Sequence, residues 1–144
     1  MQKPKETIFY TIDKAIRTYR QFGQRQLKQG GYPITVDQWL VITQIRDNPA
    51  TSQQELAKKV FKDNASITRI IELLVKAGYL KRATEARDRR RVKLILTKAG
   101  DKLIKEVEDV VSGYRAAALK GISKNSLGLL QQTLQQLIAN CEEH

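Results

Sequence analysis

Eight cations crowd one stretch of this chain. Between Lys76 and Lys93 stand Lys76, Lys81, Arg82, Arg87, Arg89, Arg90, Arg91 and Lys93, opposed only by Glu85 and Asp88. Guanidinium and ammonium groups at this density neutralise phosphates and release their counterions. The whole chain has the same sign, with 26 Lys plus Arg against 15 Asp plus Glu and a net charge of +11. Such an excess favours a polyanionic partner, either nucleic acid or an anionic membrane surface. Little else could do chemistry. His144 is the only histidine and Cys141 the only cysteine. There is no phosphate-cradling glycine loop, no cluster of metal ligands, and no Ser/His/Asp or Cys/His set beyond the terminal histidine. An enzyme is disfavoured, and neither a cofactor nor a metal is expected. Cys141, beside Glu142 and Glu143, is read as a structural or incidental thiol, since a reactive one needs an electropositive setting.

The 144 residues are enough for one domain with a real core, and 41% hydrophobic with 28% charged residues describes a globular chain. A single cysteine excludes an internal disulfide framework. No apolar run approaches a membrane span, and the polar start Met1-Gln2-Lys3-Pro4 lacks the apolar region of a signal peptide. A soluble, cytoplasmic protein is expected.

The basic stretch needs elements to position it. Ile8, Ile12, Ala15, Ile16, Tyr19 and Phe22 recur at helical spacing, so a first amphipathic helix runs from about Glu6 to Lys28 and ends at Gly30-Gly31-Tyr32-Pro33. Thr35-Val36-Asp37-Gln38 is a capping box that opens a second helix, with Trp39, Leu40, Ile42 and Ile45 on its apolar face. Asp47-Asn48-Pro49 stops it. Ser52-Gln53-Gln54-Glu55 is a second capping box, opening a short third helix to about Val60. After a turn at Phe61-Lys62-Asp63, with Asp63 or Asn64 as cap, a fourth helix carries Ile67, Ile70, Ile71 and Leu74. Gly78 ends it. The period then changes: Tyr79 to Arg82 and Val92 to Leu96 are two short strands, and the charged segment Ala83 to Arg91 joins them as a β-hairpin. Thr97 opens a long fifth helix with Leu103, Val107, Val110, Val111 and Tyr114. Gly121 and Ser123 separate it from a sixth, lined by Leu127, Leu130, Leu134, Leu137 and Ile138.

A short helix, a tight turn, a second amphipathic helix and a basic hairpin form a winged helix-turn-helix over about Gln53 to Thr97. The fold class is therefore mainly α with a small β-hairpin wing. In that arrangement the first helix braces the second, which lies in the major groove of double-stranded DNA. With its apolar stripe inward, the fourth helix leaves Asn64, Ala65, Ser66, Thr68 and Arg69 free. They are small or polar near the N-terminus, where base edges are reached. Ser52 and Gln53 join them as candidate DNA contacts, and so do Arg82, Arg87, Asp88, Arg89, Arg90 and Arg91 of the wing. Arginine at a hairpin tip suits the narrow minor groove.

At these residues the chain resembles the MarR family of bacterial transcription regulators. The resemblance rests on Asp88-Arg89-Arg90 in the wing, the strand Val92 to Leu96 followed by Thr97, the Thr68-Arg69 pair, and the stretch Leu74 to Leu80. It covers nearly the whole chain as a single domain, with a DNA-binding lobe at about 35–97 between dimerisation helices at about 5–29 and 98–141. It implies that Asp88 pairs with Arg90 and that Arg90 enters the minor groove. It also implies a homodimer held by the first, fifth and sixth helices, reading a pseudo-palindromic operator, and a repressor released by a small anionic or phenolic effector. Tyr19, Phe22, Tyr32, Trp39 and Lys102 are the candidate pocket residues, although aromatics at helical spacing usually pack in a core. The family's peroxide-sensing branch uses a cysteine near the N-terminus, which this chain lacks, and its zinc-responsive branch uses histidine clusters. Two other readings compete: a non-specific architectural DNA binder resting on phosphates, and an RNA-binding winged helix, although no exposed aromatic platform marks the fourth helix.

Overall fold

The computed structural model describes residues 3–84, 87 and 92–143. After a short 3₁₀ turn at Pro4–Glu6, the elements are α1 (Ile8–Gln29), α2 (Val36–Asp47), α3 (Gln53–Lys59), α4 (Asn64–Lys76), β1 (Leu80–Thr84), β2 (Val92–Leu96), α5 (Lys98–Ala118) and α6 (Lys124–Glu142). The chain forms two compact units, Met1–Tyr114 and Arg115–His144.

The helices start where side chains satisfy their first free N–H groups. At α2 the expected box is complete: the Thr35 hydroxyl accepts from the Gln38 N–H at 3.0 Å, and Gln38 Oε1 accepts from the Thr35 N–H at 3.0 Å. At α3 only half of it forms. Ser52 accepts from the Glu55 N–H at 3.1 Å, while the Glu55 carboxylate accepts from the Thr51 hydroxyl at 3.4 Å. Asp63 caps α4 by accepting from the Ser66 N–H at 2.7 Å.

The core of the first unit gathers one face of each helix. It contains Leu27 from α1, Val41, Ile42 and Ile45 from α2, Leu56 and Ala57 from α3, and Ile67, Ile71 and Leu74 from α4. Leu103, Ile104, Val107, Val111 and Tyr114 of α5 complete it. Burying each such aliphatic side chain contributes roughly 1.5–3 kcal/mol, and it is this stripe that fixes which face of α4 points outward. Gly23 sits where a Cβ would lie 3.0 Å from the Tyr114 ring, so the ring packs close against α1 at this glycine. Tyr19 and Phe22 meet the same ring edge-on, with centroids 5.7 and 6.2 Å away.

In the second unit, α6 has no buried residue. Leu127, Leu134 and Leu137 are half-buried, whereas Leu129, Leu130 and Ile138 are more than half exposed. On α1, Ile8, Phe9 and Ile16 are likewise exposed.

Candidate nucleic-acid interface

The turn between α3 and α4 holds these two helices together. Val60 caps α3, and the next residue, Phe61, takes φ +59°, the only positive φ among the described non-glycine residues. There the Phe61 N–H reaches the Lys58 carbonyl at 3.3 Å and the Lys62 N–H reaches the Ala57 carbonyl at 2.9 Å. These bonds make a Schellman motif, which glycine normally occupies at this position. The Phe61 ring is 84% exposed. Lys62 then turns back to Asp37 on α2, with Nζ 3.2 Å from the carboxylate. Asp63 receives both the Ser66 N–H and the Ser66 hydroxyl, at 2.7 and 3.0 Å. These bonds hold its carboxyl below the usual range, the backbone N–H contributing most.

On α4, Ile67, Ile71 and Leu74 are buried while Asn64, Ala65 and Arg69 are exposed and Ser66 and Thr68 half-exposed. The sequence-predicted set therefore shares the outward side of one helix. None of the ion pairs among the described residues involves Arg69. Ser52 and Gln53 are exposed at the start of α3. Gln53 Nε2 lies 2.7 Å from Thr68 Oγ1, which brings two of the predicted residues into direct contact across 15 positions of sequence. No local pattern announces that pairing.

The wing begins at a second Schellman motif. Gly78, at φ +86°, follows α4; its N–H reaches the Val75 carbonyl, and the Tyr79 N–H reaches the Leu74 carbonyl, each at 3.0 Å. β1 and β2 pair antiparallel from Leu80 opposite Leu96 to Thr84 opposite Val92. Leu80 is buried and Leu94 and Leu96 half-buried, so the base of the hairpin is seated on the lobe, while Lys81, Arg82 and Lys93 are exposed. Arg82 stands opposite Leu94 in this register, and Arg87 is exposed. Asp88, Arg89, Arg90 and Arg91 lie outside the described residues.

Thr97 joins the wing to α5. Its hydroxyl accepts from the Gly100 N–H at 3.0 Å, as a cap, and donates to the Gly78 carbonyl at 2.6 Å. Its own N–H reaches the Tyr79 carbonyl at 3.2 Å. Gly100 lets this junction close: a Cβ there would stand 2.3 Å from the Tyr79 carbonyl oxygen. Arg46 of α2 ties the lobe to the same helix by pairing with Glu108 as well as with Asp47.

A cleft of about 310 Å³ opens beside α1 and the start of α2, lined by Arg17, Arg20, Gln24, Val36, Asp37 and Lys62 together with Gln21. None of the five expected pocket residues lines it. Trp39 is buried in the core; Tyr19, Phe22 and Tyr32 pack against that core half-buried; Lys102 is exposed. Local pattern does not join Arg17 and Arg20 of α1 to Lys62 of the α3–α4 turn. The spacing of Arg17, Arg20 and Gln24 on one face of α1 was the available signal. Among the described residues, no group of three or more His, Cys, Asp or Glu could hold a metal ion, and no helix is long and apolar enough to cross a membrane.

Comparison with known proteins agrees with this geometry. The family model described as "MarR family" matches residues 34–92. Among solved structures, the chain is similar to BpsR of Bordetella bronchiseptica, described in connection with regulation of its DNA binding by 6-hydroxynicotinic acid. That match has 20% identity and a TM-score of 0.84, and covers 95% of this chain and 96% of the other. It is similar to the transcriptional regulator PA3341 at 28% identity and a TM-score of 0.82, over 96% of this chain and 100% of that one. It is also similar to a mutant MarR from E. coli complexed with operator DNA, at 21% identity and a TM-score of 0.83, over 95% and 99% of the two chains. The MarR family model thus matches the lobe over residues 34–92, and the chain as a whole has the winged-helix fold of the solved transcriptional regulators it is similar to.

Proposed function

We infer that this protein is a sequence-specific regulator of transcription that binds double-stranded DNA as a homodimer and represses until a small ligand releases it. The observation that carries the reading is the outward side of α4, where Asn64, Ala65, Ser66, Thr68 and Arg69 share one face next to a hairpin whose exposed residues include Lys81, Arg82, Arg87 and Lys93. In this reading α4 enters the major groove and the wing follows the adjacent minor groove, with Arg90 inserted and Asp88 orienting it. Lys81 and Arg82 neutralise flanking phosphates.

The dimer is supported by the uncovered apolar residues Ile8, Phe9 and Ile16 on α1 and Leu129, Leu130 and Ile138 on α6. A helix of 19 residues with no fully buried side chain is marginal without a partner surface. Two copies related by a two-fold axis would read an inverted repeat. The cleft among Arg17, Arg20 and Lys62 offers a small anion a seat beside Asp37 and the reader's turn, so occupancy there has a route to α4.

The test is operator binding by Arg90→Ala in the full chain. A specific contact of this kind is worth about 1–3 kcal/mol, so affinity should fall roughly 5- to 150-fold with the dimer intact. Unchanged affinity would remove the wing from the interface.

A further inference from the structure

Gln53 of α3 and Thr68 of α4, both residues of the predicted interface, are joined by a hydrogen bond between their side chains. The Thr68 hydroxyl also donates to the Asn64 carbonyl at 2.9 Å, the back-bond that threonine makes inside helices. Its single proton is thereby committed, and what it offers Gln53 is a lone pair. The Gln53 carboxamide must turn an N–H toward it, consistent with Nε2 at 2.7 Å. One N–H and Oε1 remain on Gln53, whose side chain is exposed and makes no other hydrogen bond among the described residues. A donor and an acceptor side by side match adenine, which presents N7 and N6–H₂ in the major groove. Guanine presents two acceptors there and does not fit both.

We propose that Gln53, held in orientation by the Thr68 hydroxyl, determines specificity by reading the adenine of one A·T pair in each half-site. Thr68 is then a positioning residue whose hydroxyl is spent inside the protein. The proposal rests on α4 being the major-groove helix. It adds a base reader from the preceding helix, at a position fixed by α4.

The experiment is selection of bound duplexes from a randomised double-stranded library by the full-length protein, followed by competition with single-position variants of the selected site. The wild type should select an inverted repeat with adenine at one symmetric position, and lose roughly 10- to 100-fold in affinity when that A·T becomes G·C. Gln53→Ala should abolish this discrimination at that position alone. Thr68→Val should weaken it in the wild-type background and change nothing further in the Gln53→Ala background, whereas Thr68→Ser, which keeps the hydroxyl, should retain it. The proposal fails if Gln53→Ala leaves every positional preference intact, or if it weakens all duplexes equally, as loss of a phosphate contact or a mere brace would. A wild type that selects no motif at all would instead defeat the underlying assignment of α4, and the proposal with it.

Discussion

Replacing Gly100 with alanine should test how the wing is held. The new methyl group would lie 2.3 Å from the Tyr79 carbonyl oxygen and 2.8 Å from Leu96 Cδ1. Carbon and oxygen do not approach within about 3 Å without bonding, so α5 or the Tyr79 peptide must retreat by roughly 0.7 Å or more. Two bonds cross that junction, Thr97 N–H to Tyr79 and Thr97 hydroxyl to Gly78. Losing or stretching each costs about 0.5–1.5 kcal/mol, and forcing an extra methyl into a packed site costs about 1–3 kcal/mol. The total is about 2–6 kcal/mol, against roughly 0.5–1 kcal/mol gained from alanine's better helix propensity, a net loss of about 1–5 kcal/mol. At about 2–4 °C per kcal/mol for a chain near this size, Tm should fall by roughly 2–20 °C. Thermal unfolding followed by circular dichroism measures this directly. DNA affinity below the transition should fall too, because β1 begins and β2 ends at the displaced junction. A variant as stable as the wild type, or more so, would refute the close approach and with it the account of how the wing is seated.

Phe61→Gly should have the opposite sign. The left-handed conformation at φ +59° costs a non-glycine residue about 1–2 kcal/mol, glycine costs about 0.5–1 kcal/mol more to order, and a ring that is 84% exposed has little packing to lose. A net gain of about 0.5–1 kcal/mol, or roughly 1–4 °C in Tm, is expected; a drop would show that the ring is held by contacts. The Asp63 cap should fail in acid. Its folded value lies below the ordinary 3.8, so its contribution is complete above 3.8 and is lost as pH falls through the folded value. Asp63→Asn caps without titrating; the Tm advantage of the wild type should be constant from neutrality to about pH 5 and shrink only below 3.8, and a difference that disappears near neutrality would contradict the cap. Leu130→Asp should dissociate the dimer. Two copies of a leucine that is 52% exposed offer roughly 1.5–3 kcal/mol of further burial, so the dissociation constant seen by sedimentation should rise at least about tenfold. An unchanged association state would take α6 out of the interface.

Where function depends on local pattern, the sequence already displayed it. The stripe Ile67, Ile71, Leu74 identifies the inward side of α4, and the residues opposite become the candidate reader by subtraction. The Thr35 box and the Asp63 cap are local chemistry at fixed offsets. What escaped depends on residues brought together by the fold. Gly100 looks like a weak helix former until the Tyr79 carbonyl is seen against it. Phe61 gives no hint of a left-handed conformation, because the tight α3–α4 connection imposes it on whichever residue stands there. Tyr19 and Phe22 are pocket candidates in the sequence, and their edge-on packing against Tyr114, about 90 positions away, is invisible there. The pairing of Gln53 with Thr68 joins two helices whose periodicities are silent about each other.

Sequence-specific reading of duplex DNA by two copies of the lobe of α3, α4 and the wing can be checked by footprinting on genomic fragments selected by the full-length protein at physiological salt. Protection of one inverted repeat is expected, with half-sites centred about one helical turn, roughly 10 base pairs, apart. Uniform protection along every fragment, or none, would contradict it.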